Sequence, residues 1–435
     1  MVSQAFTGRL VWKRFKGLRL AVLPDFLSLV LLYQFGTRIL TFIGILVRSL
    51  GDYSNTVVST LSMLDNVEFA YQFQAELVFL LSTAVFTLVW RRQEGKQSLA
   101  LWEEPNNKAL WLTYGLCLFG NFALSITVGG LGSAQELLHI FSIGALAVLL
   151  GGSSVYALGK SKMWLTIIAL TPLLGLALKS GMKAEVALVS LPILLPIIQR
   201  VTAKRFTFLG IFFLFTVLFI FPFSEAWRDA NWIVTGAKQQ SGIGGVASDV
   251  AALWERDGML ETAQMSTAAW LSRGSSAEQG GLVMKLADRD GFIGPILIEG
   301  LATIFVPRFL WPDKPTYAPG AWFTWYLGQA ESPDTATTST AMMLPTELYW
   351  MFGVLGVVLG MSLLAVLNYQ VWQFLLKKSS QNVIPMVALF AMLGRSGGLE
   401  EIHTIYAISS PIILLVYVII LSRLQKLLMP SLGQQ

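Results

Sequence analysis

The chain has 435 residues, of which 54% are hydrophobic and 13% charged, with a net charge of +5. A soluble globular protein carries about 25% charged residues, so the shortfall points to many apolar spans and away from an ordinary soluble domain. One cysteine, Cys117, and two histidines exclude an intrachain disulfide, a cysteine-based zinc site and a histidine-rich metal cluster.

The N-terminal stretch "GRLVWKRFKGLRL" holds five basic residues in a span suited to an interfacial helix on anionic lipid, and it lacks the pattern of a cleaved signal peptide. Apolar runs that read as membrane crossings follow at 24–48, 70–90, 109–129, 136–158, 163–178, 185–199, 206–224, 344–367, 383–394 and 408–422. The sequence therefore predicts an all-α polytopic membrane protein with about ten transmembrane helices. The fifth, sixth and ninth runs are short, and the fifth and sixth form a pair broken at "KSGMKAE". Cys117, inside an apolar run, reads as a small packed hydrophobe.

Basic residues test this topology. With the N-terminus cytoplasmic, the cytoplasmic segments hold Arg9, Lys13, Arg14, Lys16 and Arg19; Arg91, Arg92, Lys96 and Lys108; Lys160 and Lys162; Arg200, Lys204 and Arg205; Lys377 and Lys378; and Arg423 and Lys426. Every even-numbered loop has its cluster, as the positive-inside rule requires, and both termini fall in the cytoplasm. Three regions follow: a membrane bundle over 1–224, one large external segment over 225–343, and C-terminal spans over 344–435. The remaining basic residues lie within the membrane or outside it. Topology does not account for them, so they are the candidates for chemistry.

The external segment carries eight Lys/Arg against thirteen Asp/Glu, which excludes a basic surface for nucleic acid. Its part "ASDVAALWERDGMLETAQMSTAAWLSRG" predicts one or two amphipathic helices. "GFIGPILIEGLATIFV" is apolar enough to embed. A full crossing there would put Lys377 and Lys378 outside, so a re-entrant or interfacial placement is expected. No internal repeat of 20–50 residues is present.

Several positions could carry chemistry. Lys179 and Lys183 stand between two short apolar halves, either as ligands for a pyrophosphate or as lysines snorkelling from a helix end. Arg228 follows the seventh span and binds an anion unless Glu225 or Asp229 already pairs with it. Arg273 has no acid within four residues on either side, which favours an outside partner. In "VPRFLWPDKP", Pro307, Pro312 and Pro315 stiffen the chain around Arg308, Trp311 and Lys314. Arg308 is a candidate phosphate ligand. Trp311 offers either a sugar-stacking face or an interfacial anchor, and Asp313 competes for Lys314.

"LPTELYWMFGVLGVVLG" opens the eighth span. Pro345 suits a helix start, and Glu347 falls in the first turn, where the helix dipole favours an acid. An acid there can also serve as general base toward a sugar hydroxyl, with Tyr349 beside it. "GRSGGLEEIHTIY" gathers Arg395, Glu400, Glu401 and His403. A histidine there is an acid–base candidate, and the group also reads as a local salt-bridge cluster. His139 is expected to be a hydrogen-bonded core residue. There is no P-loop, no HExxH and no GxSxG, and no D-x-D pair falls in a loop. ATP-driven transport and metal-dependent use of a nucleotide sugar are therefore not expected.

"VPRFLWPDKP" in the external segment, followed by "LPTELYWMFGVLGVVLG" opening the next span, resembles the O-antigen polymerase type of oligosaccharide repeat-unit polymerase. The broken "KSGMKAE" pair is similar to that family and to the O-antigen ligases, where an arginine often stands near the position of Lys183. The architecture agrees along the whole chain; the specific motifs span about 30 residues. The resemblance implies a GT-C-like, metal-independent, cofactor-free glycosyltransferase of the bacterial inner membrane. Its partners would be donor and acceptor oligosaccharides on undecaprenyl pyrophosphate, the bilayer and a chain-length regulator. Arg308, Arg228, Arg273, Lys179 and Lys183 would neutralise pyrophosphate, and Glu347 or His403 would orient or deprotonate the acceptor on the periplasmic face. A ligase moving finished glycan and a flippase without chemistry are the alternatives. The absence of an inverted repeat and the long external segment both speak against a flippase.

Overall fold

A computed structural model describes residues 67–93, 107–127, 243–263, 276–306, 318–333, 340–379, 383–396 and 402–428, together with 31, 141–143, 145, 168–173, 207, 211, 214–220, 222–223, 226, 311 and 336. Among the described residues the chain is helical, with no strand. The helices are α1 (Phe69–Gln93), α2 (Asn107–Thr127), α3 (Ile243–Asp257), α4 (Ser276–Asp290), α5 (Leu301–Ile304), α6 (Pro319–Tyr326), α7 (Leu344–Ser379), α8 (Val383–Ser396) and α9 (Thr404–Leu428). Short helical pieces at 168–173 and a π-helical turn at Thr216–Ile220 fall inside the fifth and seventh apolar runs. The run at 185–199, and all of 24–48 except Leu31, lie outside the described residues.

Among the described residues three stretches are long and apolar enough to cross a membrane: Ala70–Gln93, Leu344–Ser379 and Thr404–Gln425. At 1.5 Å per residue each exceeds the ~30 Å of a hydrocarbon core. Their outward faces are apolar, the reverse of a soluble helix. On α7 the exposed side chains include Leu355, Leu359, Leu363 and Val366; on α9 they include Val416, Ile419 and Ile420. α8 is different. Its fourteen residues reach only about 21 Å. Ile384, Met386, Val387, Ala388, Leu389 and Met392 are all buried, so it is packed among its neighbours α7 and α9. Cys117 on α2 is buried in the apolar core, as its surroundings in the sequence predict.

α7 is not one straight helix. Gly353 breaks it with φ 68° and ψ −157°, a backbone region open essentially to glycine alone. In a straight helix Leu348 and Gly360 would stand about 18 Å apart along the axis. Here the Leu348 side chain lies against Gly360, so the leading segment 344–352 folds back on the segment 354–379. The sequence predicts a span from 344, and the unbroken part of α7 long enough to cross starts after Gly353. From 354 to 379 it is about 39 Å long, still enough for a bilayer.

Part of the 225–343 segment packs onto α7. α3 begins at Ile243, a few residues before the predicted amphipathic stretch. α4 lies along α1, with the Tyr71 hydroxyl donating to Asp288 at 2.8 Å. Gly294–Ile304 contains only a 3-10 turn and the one-turn α5, about 17 Å of chain, too short to cross. The N–H of Ile293 donates to the Trp350 carbonyl at 3.1 Å, which fastens this stretch to segment 344–352.

Candidate active site

The leading segment of α7 starts under strain. Met343, its N-cap, has φ 61°, uncommon for a residue with a side chain. Its carbonyl accepts from the Glu347 N–H at 2.8 Å and from the Thr346 hydroxyl at 3.0 Å; that hydroxyl also bonds the Met342 carbonyl. Pro345 in the first turn forfeits an N–H that has no intrahelical partner there. The first turn is thereby fixed, and Glu347 projects from it.

Glu347 is completely buried, and both its oxygens are used. Oε2 lies 2.8 Å from Nδ1 of His403, and Oε1 accepts the Thr404 N–H at 3.0 Å. His403 is the N-cap of α9, its carbonyl accepting from Tyr406 at 3.0 Å and Ala407 at 2.9 Å. The first turn of a helix has N–H groups without intrahelical partners and a partial positive charge. The carboxylate answers both. A buried carboxylate is tolerated only with such pairing.

This geometry divides the labour. Glu347, fully buried, is out of a substrate's reach. His403 retains 11% side-chain exposure and touches the Tyr406 ring edge-on at 6.3 Å. With an ionised carboxylate, which can only accept, the contact takes the Nδ1–H form of the imidazole. That leaves Nε2 with a lone pair when the ring is neutral, the arrangement of an oriented general base.

An aromatic nest surrounds the same segment. Trp350, one helical turn after Glu347, is fully buried among Trp322, Phe323 and Tyr326 of α6, with ring centroids 5.1–5.9 Å away. Trp322 and Tyr326 stack at 5.1 Å, and Trp325 beside them is 39% exposed. The Tyr326 hydroxyl donates to Asp290 at 2.6 Å, and Arg289 clamps that carboxylate through two bonds at 2.7 Å. The Arg289 guanidinium first, and then the Tyr326 hydroxyl, hold the Asp290 carboxyl below its ordinary range. Burial and the neighbouring Asp290 push the Tyr326 phenol up.

Of the residues singled out in the sequence, the structure brings Glu347 and His403 together. Tyr349 is not part of that pair. It follows Glu347 by two residues, about 200° round the helix, and packs against Phe292 at 5.9 Å. Trp311 is 40% exposed. Arg395 lies on the last turn of α8, its side chain outside the described residues. Arg228, Arg273, Arg308, Lys179, Lys183 and Lys314 also lie outside them.

Two features escaped the sequence. The α6 aromatics went unread, although Trp322, Trp325 and Tyr326 at helical spacing after Pro319 were the signal for them. A D-x-D spacing does occur, at Asp288 and Asp290, but at the end of a helix, where Tyr71, Arg289 and Tyr326 take both carboxylates. No protein-family model, curated protein or solved structure matches the chain.

Proposed function

We propose that the chain is a membrane-embedded glycosyltransferase that polymerises oligosaccharide repeat units carried on undecaprenyl pyrophosphate. The observation that carries this reading is the Glu347–His403 pair, a carboxylate-oriented imidazole set where apolar helices begin. Such a pair suits removal of a proton from a hydroxyl. The "VPRFLWPDKP" and "LPTELYWMFGVLGVVLG" stretches supply the glycan context.

In the proposed step His403 Nε2 takes the proton of the acceptor sugar hydroxyl. The freed oxygen bonds to the anomeric carbon of the donor glycan. The bond from that carbon to the pyrophosphate oxygen breaks, and its electron pair leaves with undecaprenyl pyrophosphate. Glu347 keeps His403 in the reactive tautomer and balances the imidazolium that forms. Arg308, Arg228, Arg273, Lys179, Lys183 and Arg395 are the cations proposed to hold donor and acceptor pyrophosphates. Trp311, Lys314 and Tyr349 are proposed glycan contacts. The proposal includes about ten spans in the bacterial inner membrane, cytoplasmic termini and a site facing the periplasm.

The test is reconstitution of the purified chain with a defined undecaprenyl-pyrophosphate oligosaccharide. Longer lipid-linked glycan supports the proposal. Transfer only to a different acceptor makes the protein a ligase, and movement of the lipid between leaflets without a longer glycan makes it a flippase.

A further inference from the structure

Glu347 is held in place by a contact remote from its carboxylate. Segment 344–352 is bracketed by two left-handed joints, Met343 at φ 61° and Gly353 at φ 68°. Between them it leans on the outer half of α7 at two glycines one turn apart. A Cβ on Gly356 would overlap the Leu348 carbonyl oxygen and lie 2.7 Å from the Phe352 Cβ. A Cβ on Gly360 would lie 2.7 and 2.8 Å from the two Leu348 methyl carbons. Real Cβ atoms do not approach so closely, so the bare backbones of Gly356 and Gly360 form a notch that Leu348 fills. Leu348 is the residue next to Glu347 in the chain.

We infer that Gly356 and Gly360 are positioning residues for the Glu347–His403 pair, acting through Leu348. The depth of their notch sets how far segment 344–352 folds back. That in turn sets whether the Glu347 oxygens reach His403 Nδ1 at 2.8 Å and the Thr404 N–H at 3.0 Å. A hydrogen bond weakens steeply with a few tenths of an ångström and a few tens of degrees, so a methyl-sized displacement is enough to loosen the pair. On its other side the leading segment joins its surroundings through the Ile293 N–H to the Trp350 carbonyl, the aromatic nest and the Tyr349–Phe292 contact. This inference rests on the acid–base reading of the pair and makes no use of the glycan.

The chain's two histidines make the test direct. The full-length protein, labelled with 15N-histidine and purified in lipid nanodiscs through a histidine-free tag, gives ring signals from His139 and His403 only. His403→Gln assigns them. In the parent protein His403 is expected in the Nδ1–H tautomer. Gly356→Ala should move its ring signals toward the Nε2–H form that free histidine prefers. Gly360→Ala should do the same to a smaller extent, because it meets side-chain tips and not backbone. Adding Leu348→Ala to Gly360→Ala removes those tips and should bring the His403 signals back toward the parent positions. Gly115→Ala, whose added methyl meets nothing within 4 Å, is the control and should leave them unchanged.

If Gly356→Ala does not fold, the Gly360 and Leu348 cycle decides alone. Unmoved His403 signals in a Gly360→Ala protein that melts like the parent would overturn the inference. So would a shift that Leu348→Ala fails to relieve. Failure of the glycan reading looks different: the tautomer responds as described while no glycan grows in any variant.

Discussion

Glu347 Oε2 lies 2.8 Å from His403 Nδ1 and Oε1 accepts the Thr404 N–H at 3.0 Å, in a side chain with no exposed surface. In the proposed step the acid positions the imidazole, and the imidazole, the more exposed of the two, meets the substrate. The first two predictions below follow from that division.

His403→Ala removes the proposed base and should lower glycan transfer by about 10²–10⁴-fold, the usual contribution of general base catalysis. Glu347→Gln keeps the shape and the bond to Thr404 but removes the charge, so it should lower turnover by a smaller factor with little change in KM. Initial rates against acceptor concentration separate the two.

Glu347→Ala differs from Glu347→Gln in stability. It strands two buried donors, at His403 and Thr404, and should cost about 3 kcal/mol, the range seen when one partner of a buried pair is deleted. Thermal unfolding in detergent should show the alanine variant well below the parent and the glutamine variant between them. Equal melting of all three would mean the carboxylate carries no structural role.

Gly353→Ala places a side chain at φ 68° and ψ −157° and puts its Cβ 3.0 Å from the Phe292 ring. Strain of this kind costs about 1–3 kcal/mol. The expected outcome is a lower melting temperature, with Phe292→Ala relieving the steric part and not the backbone part.

Asp290 carries a pH dependence. Arg289 and Tyr326 hold its folded carboxyl below the ordinary value, so its unfolded form binds a proton first. The stabilising contribution is complete above the unfolded pKa of about 4 and is lost as pH falls through the lower, folded value. Stability of the parent should therefore decline in that acidic window, and Asp290→Asn should flatten that decline while leaving the melting temperature at pH 7 below the parent's.

Arg308→Ala should leave the protein folded while chain growth stops and single lipid-linked repeat units accumulate. Lipid extracts from cells producing the variant, resolved by glycan length, check this. Normal polymer length would remove Arg308 from the proposed pyrophosphate site.

The helices were legible where composition alone decides. The apolar runs at 70–90, 109–129 and 383–394 became Phe69–Gln93, Asn107–Thr127 and Val383–Ser396 within a few residues. The last helix starts at Thr404 and not 408, because Thr404–Ala407 mixes polar and apolar residues and the cap is His403. The reversal at Gly353 was not legible. "YWMFGVLGVVLG" is apolar throughout, and nothing in it distinguishes the glycine that breaks the helix from the two that receive Leu348. Glu347 and His403 each stood out as titratable groups at the edge of an apolar run. Their meeting did not, because they are 56 residues apart in the chain.

The most direct measurement compares parent and His403→Ala proteins reconstituted with one defined undecaprenyl-pyrophosphate oligosaccharide, read as glycan length on lipid over time. The account predicts a ladder of longer lipid-linked glycans from the parent, and from a normally folded His403→Ala protein only the starting unit. An equal ladder from both would contradict the role of the pair. No ladder from the parent, with the lipid merely changing leaflet, would contradict the glycosyltransferase itself.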